Sequence, residues 1–294
     1  MFSFGVSASG REWRRGKIRL HSWEMADDTP RIPLSAYMLT CNNGRTVEKA
    51  LRCMTWADEI IVVDSGSTDN TLELAKKYGA RIVPRAWTTF REQYQFAMDQ
   101  CAHDWCFYLD ADEELMPELA GEMRAALAAN AARPEPEQVR AWYAHRRTWF
   151  LGRWILHGSW SPASDREIRL CHRTHCQWLG DLHATTRCLT GRIATLRFLY
   201  NHYSFAELAD QIRKTDSYST VAAGDNQRHG KRFSLLKMLV EPPFRFLRDY
   251  ILKRGFLDGL PGFIIAVNTM FYVFIKQAKL WELQRVKPGE KPER

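Results

Sequence analysis

Asp110 and Asp112 stand two residues apart at the end of an apolar run, Trp105-Cys106-Phe107-Tyr108-Leu109. Along a strand, residues i and i+2 share a face, so these two carboxylates point the same way. Paired carboxylates suit a hard divalent cation, which takes oxygen ligands and often holds a substrate phosphate as well. Glu113 and Glu114 follow directly. The same acids therefore also fit a strand running into a capped helix, whose N-terminal turn favours negative charge. Spacing alone does not choose between the two readings.

The elements that must position this pair lie before it. Ile32 to Thr40 reads as a strand, followed by polar Cys41-Asn42-Asn43-Gly44. Thr46 fits the cap of a helix whose apolar side is Val47, Ala50, Leu51 and Met54. Glu59-Ile60-Ile61-Val62-Val63 is a continuous β-branched run, as in a strand covered on both faces. It ends in Asp64–Asp69, a loop of turn residues and caps. A helix over Thr71–Tyr78 stops at Gly79, and a short strand occupies Arg81–Pro84. A helix from about Thr89 to Ala102 leads into the acidic strand. Strands alternating with helices imply βαβ units and a parallel sheet, whose ligands sit at the carboxyl ends of the strands. Three polar loops converge there: Thr40–Asn43, Asp64–Asp69 and Asp110–Glu113.

Beyond a helix at about 117–129, Arg133-Pro134-Glu135-Pro136-Glu137 has linker composition. From Val139 to Leu199 short strands with many aromatics are expected, with Glu167–Leu170 and Gln177–Leu179 forming a hairpin. After Asn201 the pattern is helical. Between Arg228 and Arg254 the basic residues Lys231, Arg232, Lys237, Arg245, Arg248 and Lys253 are opposed only by Glu241 and Asp249. Leu260 to Ile275 then carries no charge. That run is shorter than the roughly 20 residues of a membrane span. A basic segment beside a short apolar helix suits a monotopic helix lying at an anionic membrane surface. An ordinary buried helix with a solvated basic face has the same pattern.

The chain has 294 residues, 45% of them hydrophobic, enough to bury a full core. Its net charge of +8 is compatible with nucleic acid, anionic membrane or phosphorylated substrates. No helix combines a basic face with base-reading residues, so nucleic acid is not an expected partner. Seven scattered cysteines and no secretory signal pattern imply reduced, cytosolic thiols. Residues 1–30 lack apolar periodicity and read as a flexible basic extension. Cys171-His172-Arg173-Thr174-His175-Cys176 contains zinc-type ligands, but one hexapeptide at a hairpin tip is a poor cage. His145, His157 and His202 are isolated and read as structural.

Trp56-Ala57-Asp58-Glu59-Ile60-Ile61-Val62-Val63-Asp64-Ser65-Gly66-Ser67-Thr68-Asp69-Asn70-Thr71, then Ala75–Ala80 and Leu109-Asp110-Ala111-Asp112-Glu113, resembles family 2 glycosyltransferases of the GT-A fold. The likeness is to the lipopolysaccharide core β-glucosyltransferase type. Arg169-Leu170 and the tail Lys253-Arg254-Gly255-Phe256-Leu257-Asp258-Gly259 are similar too. It covers about residues 33–285. The resemblance implies an α/β nucleotide-sugar-binding (Rossmann-like) GT-A domain over 31–200, with a donor half at about 31–130 and an acceptor half at about 138–200. A helical, membrane-associating region over 201–285 and a tail over 286–294 would follow. It implies inverting transfer of a hexose, glucose foremost, from a UDP-sugar to a hydroxyl of a lipopolysaccharide-core or other lipid-linked acceptor. Mg²⁺ or Mn²⁺ would be the cofactor, and the cytoplasmic face of the inner membrane the location. Thr40, Asn42 and Asp64 would hold uracil and ribose. Asp110 would face the ribose and the metal's waters, and Asp112 would bind the metal. Arg169 would contact the diphosphate, although a cross-strand salt bridge fits it equally well.

Several positions depart from the family pattern. The usual T-Y-N-E after the first strand is Thr40-Cys41-Asn42-Asn43, and a K-N pair is Tyr94-Gln95. The His-Glu pair after the hairpin is His183-Ala184. His183 still suits a metal or diphosphate, but the missing carboxylate leaves the base that accepts the acceptor's proton open. Asp181, Asp165 and Glu167 are nearby. Asp181 is the choice, because it lies two residues before His183 and would share its strand face; a turn after Gly180 is its other reading. These departures also admit a second function: a catalytically weak or dead relative acting as a membrane-associated binding and assembly protein.

Overall fold

The computed structural model describes residues 31–180, 184–205 and 207–286. Its first half alternates strands and helices. The strands are β1 (Leu34–Thr40), β2 (Glu59–Asp64), β3 (Arg81–Pro84) and β4 (Trp105–Tyr108). The helices are α1 (Val47–Arg52), α2 (Thr71–Lys77) and α3 (Phe90–Asp99). These four strands lie parallel in the order β3-β2-β1-β4. Side chains alternate across β1. Leu34, Ala36 and Met38 pack with Leu51, Met54, Leu119 and Met123, while Tyr37 faces Tyr94, Ala97 and Met98 of α3. Apolar cover on both faces is why β1 and β2 are continuous apolar runs. At Gly79 the chain takes φ = 73°, the left-handed stop expected from its sequence.

The second half continues the sheet. It contains β5 (Glu113–Glu114), α4 (Pro117–Ala131), β6 (Val139–Phe150), β7 (Arg153–Ile155), β8 (Arg166–His172), β9 (Cys176–Leu179), β10 (Thr185–Cys188) and β11 (Arg192–His202). The full order is β3-β2-β1-β4-β8-β6-β11-β5, with β7 on β6. β8 is antiparallel to both β4 and β6, whereas β11 is parallel to β6.

Two expectations are corrected here. β8 and β9 are not a hairpin: β9 pairs with β10, and β8 runs between β4 and β6. Ile168, Leu170 and Cys171 of β8 are buried on both faces, which an exposed hairpin could not provide. Nor is the segment built only of short strands, since β6 spans 12 residues and β11 spans 11. β11 is interrupted between Thr195 and Leu199. There the Glu122 carboxylate accepts the N–H groups of Arg197 and Phe198, at 2.9 and 3.0 Å.

Three longer helices complete the chain: α5 (Leu208–Arg228), α6 (Leu235–Leu247) and α7 (Gly259–Arg285). A π-helical turn at 248–252 follows α6. The uncharged run Leu260–Ile275, too short alone for a span, continues as helix to Arg285. With its preceding turn, Gly255–Arg285 is long and apolar enough by length and composition to cross a membrane.

Two buried aspartates tie these helices to the sheet domain. Asp258 accepts from the N–H groups of Leu156 and His157 at 3.1 and 2.8 Å. Asp249 accepts from the Ser159 hydroxyl at 2.5 Å. The start of α7 is seated so closely that a Cβ at Gly262 would lie 2.0 Å from the Gly255 carbonyl oxygen. Only glycine permits that approach.

The two halves of the sheet meet at Arg169 of β8, which is 2% exposed. Its guanidinium donates to Glu113 of β5 at 2.6 and 2.8 Å, and to Glu167 at 3.1 Å. The rings of Tyr108 in β4 and Tyr200 in β11 lie 4.0 and 4.3 Å from it. Removing one partner of a buried ion pair leaves the other charge unpaired and out of water, at a cost of about 3–5 kcal/mol. Arg169→Met is therefore expected to lose about that much stability in urea titration. A loss below about 1 kcal/mol, the range of surface pairs, would show that the pair does not hold the seam.

Candidate functional site

β1, β2 and β4 deliver their following loops to one wall of a cleft of about 920 Å³. Thr40, Asn43 and Ser65 line it beside Asp110 and Asp112. Arg146 of β6, His202 at the end of β11 and Lys214 of α5 also line it. This is the carboxyl edge of the parallel strands, where α/β sheets bind ligands.

The first two loops are locked to each other. Asp64 is buried and accepts the Thr40 hydroxyl at 2.9 Å, the N–H groups of Gly66 and Ser67 at 2.9 and 2.8 Å, and the Ser67 hydroxyl at 2.5 Å. Burial pushes its carboxyl up, but the Ser67 donors and then Thr40 and Gly66 outweigh this and hold it below the usual carboxylate range. Asn42 sits at φ = 54° and reaches across with its carbonyl oxygen to the Thr68 N–H at 2.8 Å. Thr40 is thus on the cleft wall, while Asp64 and Asn42 shape the loops behind it.

The acidic pair has unequal surroundings. Asp110 accepts the Tyr94 hydroxyl, and burial raises its pKa despite the pull of Arg169. Asp112 lies 3.5 Å from Nε2 of His202. Burial works against its charged form, but His202 and then Lys214 prevail and draw it down to about 2. Sequence reasoning placed His202 among structural histidines and missed Lys214. β11 carries His202 opposite Glu113 of β5, and the Tyr203 N–H donates to the Asp112 carbonyl at 2.9 Å. No local sequence pattern announces that pairing.

Of the two readings of Arg169, its surroundings match the cross-strand salt bridge. It does not line the cleft, and its guanidinium is engaged by Glu113 and Glu167 behind the acidic turn. Burial pushes the Glu113 carboxyl up, and Arg169 pulls against it. Glu113 also accepts the Asp110 N–H at 3.0 Å, so Arg169 acts on the acidic turn through Glu113.

The departures at Tyr94-Gln95 have structural partners as well. Tyr94 stacks on Trp178 at 4.2 Å, and Gln95 accepts the Trp178 N–H at 2.9 Å. Of the base candidates, Asp165 lines the cleft and is held by Arg146 at 2.7 Å. Glu167 is taken by Arg169 and the Tyr108 hydroxyl. Asp181 and His183 lie outside the described residues.

Among the described residues, no group of three or more His, Cys, Asp and Glu side chains forms a ready metal cage. Asp110 and Asp112 nevertheless both line the cleft, and carboxylates are donors that a hard cation completes with substrate oxygens and water. The residues present fit Mg²⁺ or Mn²⁺ on that basis.

The profile of glycosyl transferase family 2 matches residues 35–175. The chain is 30% identical over 270 residues to the lipopolysaccharide core biosynthesis glycosyltransferase LpsC of Rhizobium meliloti, covering 88% of this chain and 95% of that protein. It is 29% identical over 261 residues to an uncharacterized glycosyltransferase of Rickettsia typhi, covering 85% and 87%. Solved structures are more distant. Glucosyl-3-phosphoglycerate synthase from Mycobacterium tuberculosis, in complex with Mn²⁺, UDP and glucosyl-3-phosphoglycerate, is similar at 16% identity and a TM-score of 0.43, over 69% of this chain and 82% of that one. S. aureus TarS 1–349 is similar at 12% identity and a TM-score of 0.43, over 87% and 92%. The chain belongs to glycosyl transferase family 2, and its mixed sheet with flanking helices is of the GT-A type.

Because its folded pKa is depressed, Asp64 contributes stability that is complete above the usual Asp value of about 3.9 and fades as pH falls through the lower folded value. Asp64→Asn should lower stability at pH 7 and flatten the loss seen below pH ~4. Parallel acid-unfolding curves for variant and wild type would exclude this role.

Proposed function

We propose that this glycosyltransferase moves a hexose, glucose as first choice, from a UDP-sugar to a hydroxyl of a lipopolysaccharide-core or other lipid-linked glycan, with inversion. The observation that carries the reading is the cleft itself. It joins the acidic pair, the β1 and β2 loops and the cations Arg146 and Lys214 in one space. That the similar protein LpsC is a lipopolysaccharide core biosynthesis glycosyltransferase supports the choice of acceptor.

Thr40 offers its position on the cleft wall to the nucleoside, and Asp64 and Asn42 hold the loops that shape that end. Asp112 would hold Mg²⁺ or Mn²⁺, with Asp110 facing the ribose and the metal's waters. When bound, the cation supplies neutralising charge to the leaving diphosphate. Lys214 and Arg146 add fixed positive charge on the facing wall. His183 is proposed as a further metal or diphosphate ligand, and Asp181 as the base that takes the acceptor's proton. Asp165 is the second candidate base, since it lines the cleft. Arg169 positions the acidic turn through Glu113.

Exposed apolar side chains on α6 and the turns after it support attachment to a membrane surface. Leu236 is 71% exposed and Leu252 72%. Lys237, Lys253 and Arg254 lie among them in the chain. Such a surface suits an anionic bilayer on the cytoplasmic side.

Calorimetry with UDP and UDP-glucose, with and without Mn²⁺, tests the site. Wild type should bind in a metal-dependent way, and Asp112→Asn should weaken binding by about tenfold or more, or about 1.4 kcal/mol. Binding that ignores both metal and mutation would overturn the assigned role of the acidic pair. Failure of every nucleotide sugar to bind folded protein would favour the weak or dead relative.

Vesicle flotation tests the surface. Leu236→Glu combined with Leu252→Glu should lose most binding to vesicles of phosphatidylglycerol and phosphatidylethanolamine without unfolding. Unchanged flotation would place the membrane contact elsewhere.

A further inference from the structure

A second cavity, of about 790 Å³, opens between α5, α6 and α7. Its walls are almost wholly apolar: Ile212 from α5, Met238 and Leu239 from α6, and Val267, Phe271 and Phe274 from α7. Two polar residues interrupt them, Gln211 and Asn268, and both also line the nucleotide-sugar cleft. The groove and the cleft therefore meet at these two amides.

Gln211 is 1% exposed, yet neither its Nε2 nor its Oε1 has a hydrogen-bond partner among the described residues. A buried amide with both ends unpaired is costly and calls for a missing partner. Asn268 donates to the Thr215 hydroxyl at 2.8 Å and stands beside it at the junction. On the cleft side of the junction lie Lys214, Arg245 and Arg248. Arg248 pairs with Asp249, whereas Arg245 forms no ion pair among the described residues. Positive charge, then two amides of which Gln211 is unpaired, then an apolar trough is the order of an acidic headgroup, an acyl linkage and a hydrocarbon chain.

One proline of a pair in α6 belongs to the groove wall. Pro242 lines the groove, and Pro242 and Pro243 both lie inside the helix. Neither has an N–H, so the carbonyls of Met238 and Leu239 lose their usual helical donors.

We propose that this groove holds an acyl chain of the acceptor lipid, with the acyl linkage at Gln211 and Asn268 and the acidic headgroup at Arg245 and Lys214. The assignment rests on the glycosyl-transfer reading of the adjoining cleft and narrows its acceptor to an acylated, anionic amphiphile. A glutamine amide both donates and accepts, which matches an ester or amide linkage. The chain would leave water for a trough whose apolar lining favours each buried methylene.

The test uses the full chain and lauroyl lysophosphatidic acid below its micelle concentration, with glycerol phosphate as the headgroup alone. Wild type should bind the lipid about tenfold or more tighter than glycerol phosphate. Val267→Trp and Met238→Trp fill the groove from opposite walls, so each should weaken lipid binding by about tenfold or more. Both should keep wild-type affinity for UDP with Mn²⁺, which also shows that they fold. Arg245→Gln should weaken the lipid and glycerol phosphate alike. Lipid binding no tighter than glycerol phosphate overturns the proposal, as does wild-type lipid affinity in both tryptophan variants. Loss confined to Leu236→Glu with Leu252→Glu would put the lipid on the outer face and overturn it as well. If UDP fails to bind while the lipid pattern holds, the glycosyl-transfer reading falls and the acyl groove stands.

Discussion

A guanidinium almost without access to water joins the halves of this sheet. Arg169 belongs to β8, which is antiparallel to the last of the parallel strands, β4. It reaches Glu113 in β5 and lies between tyrosine rings from β4 and β11. A charge buried this deeply survives only with good partners, because its desolvation alone costs several kcal/mol. Here the partners come from strands far apart in the chain. The pair is satisfied only when the parallel half, the acidic turn and the long strands of the second half are all in place. The acidic turn carrying Asp110 and Asp112 thus has its position set from behind.

The same constraint explains why the two aspartates differ. Asp110 is backed by the Tyr94 hydroxyl and the buried Arg169–Glu113 pair. Asp112 faces His202 and Lys214, which belong to β11 and α5. One carboxylate is set by α3 and the buried pair from β8 and β5, the other by β11 and α5. The cleft they line is therefore built by elements from both ends of the sheet and from the C-terminal helices.

The C-terminal helices are part of this arrangement. Asp249 and Asp258 fix their connecting turns to the loop after β7. Gly262 lets α7 start against the Gly255 carbonyl. That seating brings Gln211, Lys214, Arg245 and Asn268 to the cleft and leaves the apolar sides of α6 and α7 outward. Attachment to a membrane and access to an amphiphilic acceptor would then use neighbouring surfaces of the same helices.

What the chain's sequence determined by itself is local. The apolar runs ending in Thr40, Asp64 and Asp110, the stop at Gly79 and the helix capped by Thr89 follow from side-chain alternation, turn residues and caps, which act over a few positions. The W-A-D-E-I-I-V-V-D-S-G-S-T-D run marked the family by the same kind of contiguous signal. Tertiary structure alone decided the rest. Glu167–Leu170 reads as a hairpin arm, and only its neighbours β4 and β6 make it a central strand. Arg169 reads equally as a diphosphate ligand or a salt bridge, and the burial of Glu113 settles its contacts. His202 meets Asp112 because β11 pairs with β5 across about ninety residues of chain. Strand partners and register depend on which distant surfaces need cover, and no local pattern encodes that choice.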